Sequence, residues 1–393
     1  MPATNTFIEG DNLAVLASMG EASYDLIYID PPYNTGNDFA YADRHADWSA
    51  MMRPRLVEAR RVLARTGAIA VSIDDNEQVA LRLLMDEVFG REQLLAQIVV
   101  NLNPKGRQLG RGFALSHEYL VVYARDARAC VLEASSPALV DEADFPHAEG
   151  DGGRRFRHLP LRNTNKRFNP VSAPTLHFSV WGDPETGRVA TEPFDGAIEI
   201  KPVFGDGAPA VWRWSPPLVA ARAADLVCRR VRGVLGERVD VYQKDWLDLV
   251  DGRARRKKLR TIWLAEEIGS TDVAVAELKA LCGHVFETPK PTGLLRRLLD
   301  TMPADARVLD FFAGSGTTGH AVALANVADG GTRTCTSVDV GVPVRAGSNA
   351  ALAGHATIAD ITRARLRAVD AALGGGLEEL VLPVAAHEAG SRG

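Results

Sequence analysis

Two rhythms of apolar and polar positions alternate along this chain. Short, nearly unbroken apolar runs, "YDLIYID" from residue 24, "GAIAVSID" from 67 and "EYLVVYAR" from 118, read as strands buried on both faces. Between them, "WSAMMRPRLVEARRVLA" from 48 and "EQVALRLLMDEVFG" from 77 repeat apolar residues every three to four positions, as one face of a helix does. Pro54 is expected in the first turn of the former, where its missing N–H costs little. The alternation returns late in "TGLLRRLLDTM" (helix, from 292), "ARVLDFF" (strand, from 306), "AGSGTTGHAVALAN" (glycine turn into helix, from 313) and "TRTCTSVDV" (strand, from 332). Such alternation predicts an α/β fold, doubly wound around a mostly parallel sheet.

Between these two stretches the pattern breaks. Residues 131–151 carry six acids and no Lys or Arg, and 152–168 carry six bases and no acid, followed by Pro/Gly-rich segments to about 220. This predicts an inserted domain of strands and long loops over 129–265, flanked by the two halves of one α/β domain, 1–128 and 266–375. Trp212 and Trp214, two apart in "VWRW", are expected on one strand face in the core of the insert. The tail, 376–393, follows "GGG" and is expected to be mobile.

Charge sharpens the division. The net charge is −5, yet residues 152–260 hold 21 Lys/Arg against 12 Asp/Glu, so positive charge is concentrated in the middle. No apolar run approaches the roughly 20 residues needed to cross a bilayer, and the N-terminus lacks a secretory pattern, so a cytoplasmic protein is expected. The four cysteines have no C-x-x-C pairing or histidine neighbours at ligand spacing; they read as buried thiols, and no metal is expected.

Two stretches carry candidate chemistry. In "VLDFFAGSGTTGHAVALA", Gly314, Gly316 and Gly319 satisfy G-x-G-x-x-G between a strand and a helix, which lets backbone approach a ligand and presents helix N–H groups to an anionic moiety. Asp339, at the end of the next strand, is placed to accept from a ribose hydroxyl. Alone, this pattern fits NAD as well as S-adenosylmethionine; a P-loop is disfavoured because no Lys follows the glycines.

"DPPYNTG", at 30–36, distinguishes these readings. Paired prolines make a stiff, extended exit from the strand before them. An exocyclic base amine is a poor nucleophile until its lone pair leaves conjugation, which requires acceptors for both N–H groups. The Asp30 carboxylate and the carbonyl of Pro31, directed by Pro32, supply such acceptors, and Tyr33 offers a ring on which an extruded base stacks. A nicotinamide-dependent oxidoreductase, the alternative of a different class, rests on the glycines and Asp339 alone.

With these motifs in view the chain resembles the β-class amino-methyltransferases of DNA, in which the catalytic motif precedes the cofactor motif. More narrowly, "GDNLAVL", "SHEYLVVYAR", "LRNTN", "RRKKLRTIW" and "PKPTGLL" are similar to modification subunits of type III restriction-modification systems. The resemblance implies a Rossmann-like methyltransferase fold with permuted motif order and an inserted target-recognition domain. It implies a site-specific DNA methyltransferase that uses S-adenosyl-L-methionine on a flipped adenine, with methylation of the cytosine amine as the alternative. Asp30, Pro31, Pro32 and Tyr33 match the catalytic motif. Asp310, Phe312, Gly314, Ser315, Gly316, Thr317 and Thr318 match the cofactor loop, Asp11 and Asn12 the motif approaching the cofactor's adenine, and Lys290 a position near the methionine carboxylate. The implied partners are double-stranded DNA, a second copy in a homodimer, and a restriction subunit.

For DNA contact the candidates are basic. "RARRKKLR", with Arg253, Arg255, Arg256, Lys257 and Lys258, suits phosphates, and Arg154, Arg155 and Arg157 suit phosphates or base edges.

Overall fold

The computed structural model describes residues 4–35, 47–106, 112–133, 135–139, 142–150, 153–234, 236–248 and 256–382, with backbone alone at 135–139, 256 and 257. The chain divides into two compact units, Met1–Ser136 with Lys258–Gly393, and Pro137–Lys257.

The first unit is built on a nine-stranded sheet. From one edge its order is Ile262–Trp263, Leu94–Val100, Glu118–Ala124, Leu63–Ile73, Tyr24–Ile29, Arg307–Asp310, Thr334–Asp339, Asn5–Glu9 and Leu377–Val381. Neighbours run parallel except at Glu118–Ala124, which is antiparallel to the strands on both sides. The unbroken apolar runs are explained by burial of both faces. Ile27, Ile29, Ile69, Val71 and Leu309 join one core with Val15, Leu16, Met52, Leu56 and Leu81 from the helices Asn12–Ser18, Trp48–Val62 and Gln78–Phe89. Their neighbours Leu26, Tyr28, Ala68, Ala70 and Val308 face the opposite way, into a core with Leu294, Leu298, Ala321 and Val322 of the helices Thr292–Leu299 and Thr317–Asp329. The fold is α/β and doubly wound around a mostly parallel sheet.

Three details depart from expectation. Pro54 lies inside the helix Trp48–Val62 rather than in its first turn; buried Trp48, Met52, Leu56, Ala59 and Val62 anchor the helix across the interruption. Residues 377–381, expected in a mobile tail, form the edge strand beside Asn5–Glu9. Gly374, Gly375 and Gly376 all adopt positive φ (72°, 105° and 82°), a turn only glycine makes readily, and so return the chain to the sheet. The strands Asn5–Glu9 and Ile262–Trp263 have too short an apolar run to be read from sequence, and Leu94–Val100, although apolar at six of its seven positions, is not among the strands expected from it.

The second unit contains two antiparallel sheets. One has the order Leu226–Gly233, Gly236–Trp246, Arg155–Pro160, His147–Ala148, and the other Val189–Ala190, Val180–Gly182, Ile198–Ile200. Its core gathers Leu161, Val180, Ile200, Trp212, Val219, Leu226, Cys228 and Val241. Trp212 is buried there, with Trp214 packed against it, but the two do not form a strand: Trp212 makes one isolated bridge, to Arg162. The four cysteines are free thiols, Cys228 and Cys335 buried, Cys130 and Cys282 half-buried. Among the described residues no helix is long and apolar enough to cross a membrane.

Candidate active site

The strand Tyr24–Ile29, which ends in Asp30, lies directly beside the glycine-loop strand Arg307–Asp310, with Val308 opposite Leu26 and Leu309 opposite Ile27. The chain order of the two motifs leaves this adjacency open; the structure makes them neighbours where the sheet reverses its winding, the position at which open α/β sheets bind ligands. A cavity of ≈ 270 Å³ opens there, lined by Asp30, Pro32, Lys290, Asp310, Phe312 and Gly314 among others, with Asp11, Asn12, Ser315, Thr317, Thr318 and Asp339 also on its wall.

The glycine loop is held from below. Gly314 and Gly316 have φ of 52° and 74°, in the left-handed region. Asp339 Oδ2 accepts from the Gly314 N–H at 2.7 Å, and Thr362 Oγ1 donates to the Gly314 carbonyl at 2.6 Å. The Arg365 guanidinium, fully buried, donates to the Thr317 hydroxyl at 2.8 Å and to the Ser315 hydroxyl at 3.2 Å. Burial pulls the Arg365 pKa down to about 10. Asp310 accepts from the Phe312 N–H at 3.1 Å and from the Thr318 hydroxyl at 2.5 Å; burial outweighs these bonds and raises its pKa to about 7. Burial raises Asp339 likewise, to about 7. Gly319 serves close packing instead. A Cβ there would lie 2.6 Å from both Asn5 Oδ1 and Leu366 Cδ2, so the helix start packs against two neighbouring elements.

Asp11 and Asn12 serve this wall as well. Asp11 caps the helix Asn12–Ser18 through Ala14 N, and Asn12 donates to the Phe311 carbonyl at 2.9 Å while accepting from Arg55 Nε at 2.7 Å.

Around Asp30 the charges are tightly paired. Its Oδ1 accepts from Tyr33 Oη at 2.6 Å and from Lys290 Nζ at 2.9 Å, and its Oδ2 accepts from Lys290 Nζ at 2.7 Å. The lysine was expected near the cofactor carboxylate; in the structure its ammonium sits on Asp30 and lies 3.5 Å from Glu118 Oε1. Burial alone would lower the Lys290 pKa, but Asp30 and Glu118 outweigh it and the net shift is upward. Burial pushes Glu118 up to about 7 against the pull of Lys290. The Tyr33 hydroxyl is pushed well up by burial and by Asp30, so it remains a donor. Pro31 is buried, the Pro32 carbonyl accepts from Trp48 Nε1 at 2.6 Å, and Asn34 takes a left-handed φ of 58°, which Asn tolerates.

Glu118, Arg55, Thr362 and Arg365 were not singled out from sequence. For Arg365 a signal existed: in Ile358–Leu373 it shares the buried stripe of Ile361, Thr362, Leu366 and Val369.

The basic candidates fare differently. Arg155 Nε donates to the Phe145 carbonyl, and Arg157 pairs with Asp245 at 2.8 Å with its guanidinium over the Phe145 ring, so both are tied into their own unit. Arg154, exposed, lies over Trp246 and donates to the Asp248 carbonyl. Arg253 and Arg255 fall outside the described residues; Arg256, Lys257 and Lys258 form a short strand, on which the Lys258 side chain is exposed.

A doubly wound sheet with an Asp-Pro-Pro-Tyr exit beside a glycine loop defines an enzyme of the amino-methyltransferase kind. The comparison with known families agrees: the DNA methylase family model matches residues 24–328. The chain belongs to this family, which sets aside the nicotinamide reading that the glycine loop alone left open. It is 34% identical over 378 residues to the Type II methyltransferase M.KpnI of Klebsiella pneumoniae, covering 92% of this chain and 86% of that one. It is 32% identical over 409 residues to the Type III restriction-modification enzyme EcoPI Mod subunit of Escherichia phage P1, covering 93% of this chain and 62% of that subunit. A solved structure of TTHA0409, a putative DNA modification methylase from Thermus thermophilus complexed with S-adenosyl-L-methionine, aligns over 97% of this chain and all of that one, with 14% identity and a TM-score of 0.42.

Proposed function

We propose that this protein methylates the exocyclic amine of a flipped adenine in duplex DNA, with S-adenosylmethionine as methyl donor. The observation that carries the reading is the placement of Asp30 and the glycine loop on adjacent strands around one cavity.

The residues present fit such a donor. Gly314, in left-handed backbone on the cavity wall, leaves room for close approach, and a Cβ there would come 3.7 Å from Phe286; Gly316 instead lets the loop pack on Thr362 and Leu366. Phe286, Phe312, Val342 and Ile358 supply apolar wall for an adenine ring, and Asp339 and the Asp11–Asn12 pair supply acceptors for its ribose and amine. The donor brings a sulfonium methyl open to attack by nitrogen. The chain itself makes that nitrogen nucleophilic. Asp30 accepts one N–H of the amine and the Pro31 carbonyl the other, which favours the pyramidal nitrogen, and Tyr33 gives the base a face to stack on. Asp30 and the carbonyl lie at the end of a sheet strand rather than in a free loop, so their directions are set before the base arrives.

The unit Pro137–Lys257 is read as the target-recognition part because positive charge concentrates in that stretch of sequence. A homodimer, and a restriction subunit as further partner, are proposed with it, on the likeness to the EcoPI subunit; mass measured in solution, alone and with a candidate subunit, tests both.

Incubation of the purified protein with DNA and methyl-labelled donor is expected to place label on adenine. Label on cytosine would overturn the base assignment, and no label on either would overturn the reading.

A further inference from the structure

We propose that Glu118 is a positioning residue that draws the Lys290 ammonium off Asp30 when the target base enters, so that Asp30 is free to accept the base amine. The inference rests on the methylation reading above.

The need for such a step is visible in the site. Asp30 Oδ1 already receives two donors, from Tyr33 and Lys290, and Oδ2 receives Lys290 as well. An ammonium bound to both oxygens drains the negative charge that an incoming N–H would seek, and with two donors on Oδ1 and one on Oδ2 a single acceptor site remains. For Asp30 to meet the amine with its full charge the lysine yields, and it is held in a buried position where a lone cation is costly.

One group is ready to receive it. Glu118 Oε1 is buried, makes no hydrogen bond, and lies 3.5 Å from Lys290 Nζ, so a shift of well under a side-chain length completes the bond. The exchange conserves what the buried cluster requires: Lys290 keeps a carboxylate partner throughout, and an unsatisfied buried oxygen gains a donor. Tyr33 remains on Asp30 and its ring stands 5.0 Å from Lys290 Nζ, near enough to accommodate the cation at either end of its path.

Protonation enters because Glu118 is crowded with charge. Asp30 at the end of its strand, Asp74 at the end of the strand alongside, Lys290, and the hydroxyls of Tyr28 and Tyr33 all act on it. His117 and Tyr119 beside it in sequence are hydrogen-bonded to each other, and Tyr119 also donates to Asp75. With its pKa near 7, Glu118 holds a proton for part of the time in the resting protein. Taking the ammonium requires the carboxylate, so that proton leaves to solvent as the base enters; no other bond to hydrogen is broken in this step.

The test uses the whole protein and a duplex carrying the modified site, mapped by modification-sensitive sequencing of DNA from cells expressing the chain. Glu118→Gln should lower kcat about tenfold or more, as loss of an outer group that orients a reacting one does. The KM for the methyl donor should stay unchanged, and the acid limb near pH 7 seen in the wild-type kcat profile should vanish; Glu118→Asp should recover part of the rate. A second readout needs no donor: calorimetry of duplex binding in two buffers of different ionisation enthalpy near pH 7. Proton release is expected from the wild type with adenine at the target, and none when purine, which lacks the amine, replaces it. A Glu118→Gln protein with wild-type kcat and pH profile, or equal proton release with adenine and purine, would overturn the proposal. Should the amide variant not fold, the proton count on the wild type decides alone. A wild type that methylates adenine at the mapped site without the proton difference would overturn the lysine exchange and leave the methylation reading standing.

Discussion

The Arg365 guanidinium donates to the Thr317 hydroxyl at 2.8 Å from a helix nearly fifty residues further along the chain, and this contact, with that to Ser315, underpins the glycine loop. Arg365→Met keeps the apolar length but leaves two buried hydroxyls and the Ser315 carbonyl without this donor. It is expected to cost about 1–3 kcal/mol of stability. It should also weaken donor binding measurably; denaturant titration and calorimetry read the two effects, and unchanged affinity would show that the loop holds itself.

Asp30→Ala should reduce methyl transfer by a factor on the order of 10² to 10⁴, the usual range for a lost proton acceptor. Donor affinity should be nearly preserved, because the glycine loop, Asp310 and Asp339 are untouched. Single-turnover transfer together with equilibrium binding separates these quantities, and retained turnover would remove Asp30 from the mechanism.

Asp310 makes stability depend on pH in an unusual direction. Its folded pKa is raised from 3.8 to about 7, so the folded protein holds a proton that the unfolded chain releases over this interval. The stabilising contribution is therefore fully present below the unfolded value and is lost as pH rises towards 7. For Asp310→Asn, which does not titrate, Tm relative to the wild type should rise between pH 4.5 and pH 8. A constant difference across that range would contradict the buried, proton-holding carboxyl.

Gly319→Ala tests close packing rather than chemistry. The added methyl meets Asn5 and Leu366 at 2.6 Å, so a loss of about 1–3 kcal/mol is expected despite alanine's better helix propensity. A neutral or stabilising result in chemical denaturation would show that Leu366 yields freely.

Lys258 and Arg260 are exposed at the end of the basic run. Replacing both by alanine should reduce the slope of log affinity for DNA against log salt by about one to two, since each phosphate contact contributes roughly 0.9. An unchanged slope would make this run a solvated face.

Much of the architecture was legible because burial on both faces of a parallel sheet writes itself as unbroken apolar runs, as in Leu26 to Ile29. Asp30 and Gly314 were legible for a different reason: proline pairs and closely spaced glycines are backbone constraints, and constraint is visible locally. Glu118 and Arg365 were hidden because their meaning lies in what they touch across the chain, Lys290 and Thr317; for Arg365 the apolar stripe of its own helix marks burial but not that partner. Arg363 and Arg367 flank Arg365 on faces that pair with surface acids, which makes the middle arginine read as one more solvated charge. The edge strand 377–381 is hidden because "GGG" reads as a loosening of the chain, whereas three residues of positive φ in succession redirect it.

The one reversed strand in the sheet has a consequence for where functional groups can be recruited. The parallel strands bring their C-terminal ends to the ligand edge, where Asp310 and Asp339 close their strands and Asp30 and Asp74 directly follow theirs; the segment 118–124 runs the other way and delivers its first residue, Glu118. Direction thus acts as an address: turned to match its neighbours, the same seven residues would send this carboxylate to the far rim of the molecule, and Lys290 would have Asp30 as its sole counter-ion in the cluster.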